Sequence, residues 1–276
     1  MFSCQFLNIY ETFRTNPTYL GEYGQTNTSL SCDSFDSCAS FSWNPHNLLY
    51  PNPHMIPFMT PTFIIAILIA VTVHEWAHAY AAYKLGDSTA KYDGRLTLNP
   101  IAHLDPMGTV LFLLVGFGWG KPVPVDPRYF KNYKRDNAIV AFAGPLSNIV
   151  IAFLAFGLAL ALGMKGQVLA VTGALIAPDN QPIIMSFVSE LLGDLIHINL
   201  ILMAFNLLPV APLDGSKILQ MWIPYQWDDT YHEFLRKGPW ILLGLIIAGR
   251  AFHIPILSVW ISYIMSPFLA IMYALL

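Results

Sequence analysis

Residues Pro61–Tyr83 read PTFIIAILIAVTVHEWAHAYAAY, an apolar run that holds His74-Glu75-Trp76-Ala77-His78 near its far end. A run of this length can cross the hydrocarbon of a bilayer, about 30 Å, as one helix. Three ionisable side chains within five residues are costly there and mark a functional site. On a helix, residues four apart share a face. His74 and His78 can therefore offer two imidazoles to one metal ion. Glu75 lies beside them and can reach a water in an open coordination position.

The pattern points to zinc chemistry. A catalytic zinc has three protein ligands and one water. It lowers the pKa of that water from about 15.7 to about 7. A neighbouring carboxylate takes the proton and passes it to the leaving amine. The reaction read from the motif is peptide hydrolysis, with Glu75 as general base. The bland alternative is a chance HExxH match whose polar groups face other helices.

Composition fits this setting. The 276 residues are 55% hydrophobic and only 11% charged, with a net charge of −3. That describes an integral membrane protein and leaves no footprint for nucleic acid. Four stretches are long and apolar enough to span: about 61–83, 138–162, 183–209 and 254–276. The part Pro239–Gly249 is too short to cross alone, so it is read as interfacial, with a bent pair of helices as the alternative. The fold class is an all-α polytopic membrane bundle.

A further segment, about 95–125, contains the short Gly-rich stretch Met107–Trp119 and is read as re-entrant. Its alternating and Gly-rich portions can form strands whose edge would dock an extended substrate. Gly116, Gly118 and Gly120 permit close backbone approach. The two domains expected are a polar, disordered tail at 1–54 and a membrane domain at 55–276. Met55 and Met59 precede the first span, and a start at either would leave a compact membrane core. Cys4, Cys32 and Cys38 all lie in the tail, as one disulfide and one thiol or as three thiols.

Lysine and arginine set the orientation. Residues 84–137 carry eight of them, and 210–238 carry Lys217, Arg236 and Lys237. These loops are expected on the cytoplasmic side. HEWAH lies in the half of the first span nearest them. The third span ends on that side too, delivering Asn206–Gly215 to the same depth.

Asp214 is the candidate third ligand, in Asn206-Leu-Leu-Pro-Val-Ala-Pro-Leu-Asp-Gly215. Pro209 and Pro212 break the helix, and Gly215 permits a tight turn. Taken alone, an Asp-Gly turn at a helix end is the simpler reading.

Together the two motifs resemble the site-2 protease family of intramembrane zinc metalloproteases. Ala143-Gly-Pro-Leu-Ser-Asn148 resembles its Gly-Pro-x-x-Asn element. Gly94-Arg-Leu-Thr-Leu-Asn-Pro100, His103-Leu-Asp-Pro-Met-Gly108 and Gly118-Trp-Gly-Lys-Pro-Val-Pro124 resemble its compact prokaryotic branch. The resemblance runs from about residue 60 to the C-terminus. It implies Zn2+ bound by His74, His78 and Asp214, with Glu75 as catalytic base. It also implies transmembrane protein substrates met within the lipid bilayer of a prokaryotic cell, and the loop charges put the active site toward the cytoplasm.

Asn148 carries two readings: a hydrogen bond to substrate or oxyanion, and a helix–helix hydrogen bond. Asn206 is expected to orient a ligand or cap the broken helix. Asp105, before Pro106, reads as a turn residue, and His103 as a residue beside the re-entrant segment rather than a ligand. Glu190, Asp194 and His197 share a face of the third span and read as an outer-interface cluster, with an ion pathway as the rival. The rival functions are a membrane metal-ion transporter and an inert binding protein. An internal inverted repeat, common in transporters, is not evident.

Overall fold

The computed structural model describes residues 60–115, 120–164, 182–251 and 255–276. The tail at 1–54, its three cysteines, Gly116 and Gly118 lie outside them. Four long helices form the bundle: α1 (Pro61–Lys84), α5 (Tyr133–Ala161), α6 (Ile183–Asn206) and α9 (Ile256–Ala274). All four are long and apolar enough to cross a membrane. Short helices α2 (Thr89–Tyr92), α3 (Pro100–His103) and α4 (Pro106–Val115) come after α1, α7 (Asp214–Gln220) comes after α6, and α8 (Asp228–Ala251) precedes α9.

Helix α1 starts where the sequence changes from loop to apolar run. The Thr60 hydroxyl accepts the Phe63 N–H at 3.3 Å, and Pro61 occupies the first turn, where its missing N–H costs nothing. It stops at Leu85, and Gly86 turns the chain with φ 108°. Its buried stripe is Phe63, Ala66, Ala70, His74, Ala77 and His78, every third or fourth residue. The alanines let α5 and α6 approach closely, the usual basis of helix packing in lipid.

Helix α6 is the centre of the bundle. Every residue from Ile196 to Asn206 is buried, so no face is left for lipid. Helix α9 buries a single stripe, Leu257, Ile261, Met265 and Met272. The Trp260 indole N–H ties it to the Ala204 carbonyl of α6 at 2.9 Å.

The structure differs from the sequence reading in three places. The apolar part Pro239–Gly249 is the second half of the 24-residue helix α8, whose first half is too polar for an apolar window to detect. Asp228 and Asp229 favour its start by facing the helix dipole. Among the described residues of 95–125 there is no strand ladder, only an antiparallel bridge between Leu104 and Gly120. Pro100 and Pro106 open helices instead, and Pro122 and Pro124 lack the N–H groups a ladder needs. Gly215 does not make a turn; it lies in α7, where a Cβ would overlap the Leu207 carbonyl. Glycine is required there for close approach.

The loops between α1 and α5 are pinned by buried charge. Asp87 is wholly buried; its Oδ1 accepts from the Thr89 N–H at 2.9 Å and its Oδ2 from the Asp126 N–H at 2.7 Å. Arg95, 2% exposed, donates to the carbonyls of Ala102 and Lys121. Farther out, hydrogen bonding from Arg128 holds the half-buried Asp126 carboxyl below its usual range. Lys134 at the start of α5 reaches Asp228 at 2.5 Å and the Ile223 carbonyl at 2.7 Å. The Tyr231 hydroxyl donates to Ser216 O at 2.5 Å, fastening α8 to α7.

Candidate metal centre

His74 and His78 stand one turn apart on α1 with rings edge to face, centroids 4.6 Å apart. Each ring is oriented through Nδ1. The His78 Nδ1–H donates to the Val140 carbonyl at 2.7 Å. A carbonyl oxygen only accepts, so the proton sits on Nδ1 and Nε2 keeps its lone pair. His74 Nδ1 meets Asn148 Oδ1 at 2.6 Å. The Asn148 NH2 donates to Asn199 Oδ1 at 2.8 Å and to the Ala70 carbonyl at 3.3 Å, which turns its oxygen toward His74. His74 therefore also carries its proton on Nδ1.

The bare Nε2 atoms converge on Asp214. They lie 3.0 Å from each other, and 3.2 and 3.1 Å from Asp214 Oδ2. All three residues are buried. A buried triangle of three lone-pair atoms, with no proton between them, calls for a cation. Tetrahedral zinc, with ligand bonds of about 2.0–2.1 Å, separates its ligand atoms by about 3.3–3.4 Å. The observed edges are close to that, and two imidazoles with one carboxylate form an ordinary catalytic zinc donor set with one vertex open.

Asp214 comes from 140 residues along the chain. Helix α6 ends at Asn206, residues 207–213 turn back, and Asp214 opens α7. Its other oxygen lies 3.8 Å from Lys217 Nζ. Glu75 is half-buried beside the triangle, and its Oε2 accepts the Val123 N–H at 3.2 Å.

The other residues singled out from the sequence fall elsewhere. Asn206 donates to the Leu202 carbonyl one turn back, at 3.0 Å, and neither caps the helix nor touches the triangle. The Asn148 NH2 donates to two protein acceptors, and its oxygen meets His74. His103 is buried with Nε2 donating to the Thr97 carbonyl at 2.9 Å, and Asp105 Oδ1 accepts the Gly108 N–H at 2.8 Å at the start of α4. Glu190, Asp194 and His197 stand on α6 beyond Asn199, away from the turn that delivers Asp214.

Two contributors, Asn199 and Val140, escaped the sequence reading, and a third, Gly144, entered it only as the glycine of the Gly-Pro-x-x-Asn resemblance. Asn199 is an amide within an apolar run, which was its available signal. Val140 acts through its backbone, which leaves no signal. Gly144 lies against both imidazoles: a Cβ there would stand 2.5 Å from His78 Cε1 and 2.6 Å from His74 Cε1.

Residues 62–226 match peptidase family M50. The Bacillus subtilis protein named "Putative zinc metalloprotease YwhC" is 43% identical over 60% of this chain and 71% of its own length. A Methanocaldococcus jannaschii protein named "Putative zinc metalloprotease MJ0611" is 31% identical over 64% of this chain and 78% of its own. The Mycolicibacterium smegmatis protein named "Putative zinc metalloprotease Rip2" is 29% identical, over 72% and 70%. No solved structure matches the chain. The match covers the helix that bears HEWAH, the support helix α5 and the turn to Asp214, and this multi-pass membrane protein belongs to peptidase family M50.

Proposed function

We propose that His74, His78 and Asp214 hold the zinc of this intramembrane metalloprotease, and that Glu75 is its general base. The observation that carries the reading is the buried triangle of lone pairs at 3.0–3.2 Å, with both Nδ1 protons committed elsewhere. A bound zinc supplies an acidified water and a polarised scissile carbonyl. The chain's own residues do the rest. Asn148 and the Val140 carbonyl fix the two imidazoles in the tautomer that leaves Nε2 free. Glu75 takes the proton and returns it to the leaving amine.

The substrates are membrane proteins, cut within or near a transmembrane segment. A helix hides its peptide bonds in its own hydrogen bonds, so the substrate must unwind before attack. The excess of Lys and Arg in the loops at 84–137 and 210–238 supports a site on the cytoplasmic side of a prokaryotic cell membrane. The donor set speaks against a transporter, because three buried ligands fixed by hydrogen bonds retain an ion rather than pass it on.

Elemental analysis of detergent-purified protein tests the ligand set. The wild type is expected to carry one zinc per chain. Outer ligand supports are worth about 10–100-fold in metal affinity. Asp214→Ala removes a direct ligand and is expected to cost more than about 100-fold, and Asn148→Ala to fall inside that range. Equal zinc in wild type and Asp214→Ala would break the three-ligand assignment.

A further inference from the structure

The Glu75 carboxylate is held by a segment that nothing in HEWAH announces. Residues 120–126 cross α1 beside the motif. A Cβ at Gly120 would stand 3.7 Å from the Val71 side chain, and three residues later the Val123 N–H reaches Glu75 Oε2 at 3.2 Å. Among the described residues this N–H is the one hydrogen-bond partner of the Glu75 side chain.

The local sequence isolates that donor. Lys121-Pro122-Val123-Pro124-Val125 has proline on both sides of Val123. Proline has no N–H and fixes φ near −65°. Val123 therefore carries the sole backbone N–H between Lys121 and Val125, on a stiff, extended stretch.

Both ends of the stretch are anchored in the loop that comes after α1. At one end the Lys121 N–H donates to the His103 carbonyl at 2.9 Å, and the Lys121 carbonyl accepts from Arg95. At the other end the Asp126 N–H donates to Asp87 Oδ2 at 2.7 Å. Arg95 and Asp87 are 2% and 0% exposed. Two buried charges spent on backbone groups, five residues apart, are a costly arrangement for a plain loop. They fix the height of Val123 over α1.

We infer that residues 121–126 are a positioning strap, in which the Val123 N–H aims the Glu75 carboxylate and Arg95 and Asp87 hold the strap in register. Val123, Arg95 and Asp87 are positioning residues; none of them touches the reacting atoms. The strap leaves Oε1 free for the proton transfer. This rests on the reading of Glu75 as the base.

The test compares Val123→Pro, which deletes the donor, with Val123→Ala, which keeps it. Both are assayed in detergent on a single-span reporter protein that the wild type cleaves, with zinc content measured on the same preparations. A hydrogen bond to a charged group is worth about a 10–100-fold effect. The kcat of Val123→Pro is expected to fall by about that factor below Val123→Ala, with KM and zinc content alike in the two. Equal kcat values overturn the strap. So does a rise in KM at constant kcat, which would make residues 121–126 a substrate contact instead. Should Val123→Pro fail to load zinc, Asp87→Asn decides. A several-fold loss of kcat with zinc retained supports the strap, and unchanged kcat overturns it. Glu75→Gln in the same assay separates the two claims: turnover in that variant sinks the base assignment itself.

Discussion

Glu75→Gln yields a protein that loads zinc and does not cut. Glutamine has the size of glutamate and its carbonyl oxygen can still accept the Val123 N–H, now at 3.2 Å from Oε2. The triangle of His74, His78 and Asp214 contains no atom of residue 75, so metal content stays at the wild-type level. What disappears is a group able to take a proton at neutral pH. Removing a general base costs about 100- to 10,000-fold in rate. Zinc analysis and product detection on one preparation check both halves. Preserved turnover excludes Glu75 as base, and lost zinc places Glu75 among the ligands.

Gly144→Ala has the second large effect, and it acts without replacing a ligand. The added methyl would sit 2.5 Å from His78 Cε1 and 2.6 Å from His74 Cε1, well inside van der Waals contact. Either α5 retreats from α1 or both rings turn. Retreat breaks the Asn148 and Val140 bonds that hold the Nδ1 protons; turning swings Nε2 away from Asp214. Overpacking of this kind costs about 1–3 kcal/mol in a core, and here it falls on the geometry of a metal site. Zinc content and cleavage are expected to fall together. Gly157, on the same helix, has open space where its Cβ would stand. Gly157→Ala is expected to keep zinc and gain up to about 1 kcal/mol of helix stability. Equal behaviour of the two variants in zinc analysis and thermal unfolding would refute the close-packing argument.

The sequence revealed the ends of the site better than its middle. His74, Glu75 and His78 are legible because helical periodicity is local and because charge in an apolar run is conspicuous. Asp214 could be nominated from the need for a third ligand and from the family resemblance. Its meeting with the histidines spans 140 residues and depends on where α6 stops. Asn148 was visible as a polar residue in lipid, but its partner was not. Asn199 and Ala70, on two other helices, accept from its NH2 and leave its oxygen toward His74. Backbone contributors such as Val140 and the Val123 N–H have no side-chain signature. Helix α8 was half hidden for a different reason: its first turns are charged, and an apolar window sees only the residues after Pro239.

The pair of prolines around Val123 has one more effect, on directionality. With the Val123 N–H engaged by Glu75 and no N–H on Pro122 or Pro124, the stretch 122–124 has no backbone proton left to give. An unwound chain lying along it can lend its own amide protons to these carbonyls, while its carbonyl oxygens find no partner there. Between its prolines the strap is thus a one-way surface, with acceptors and without donors.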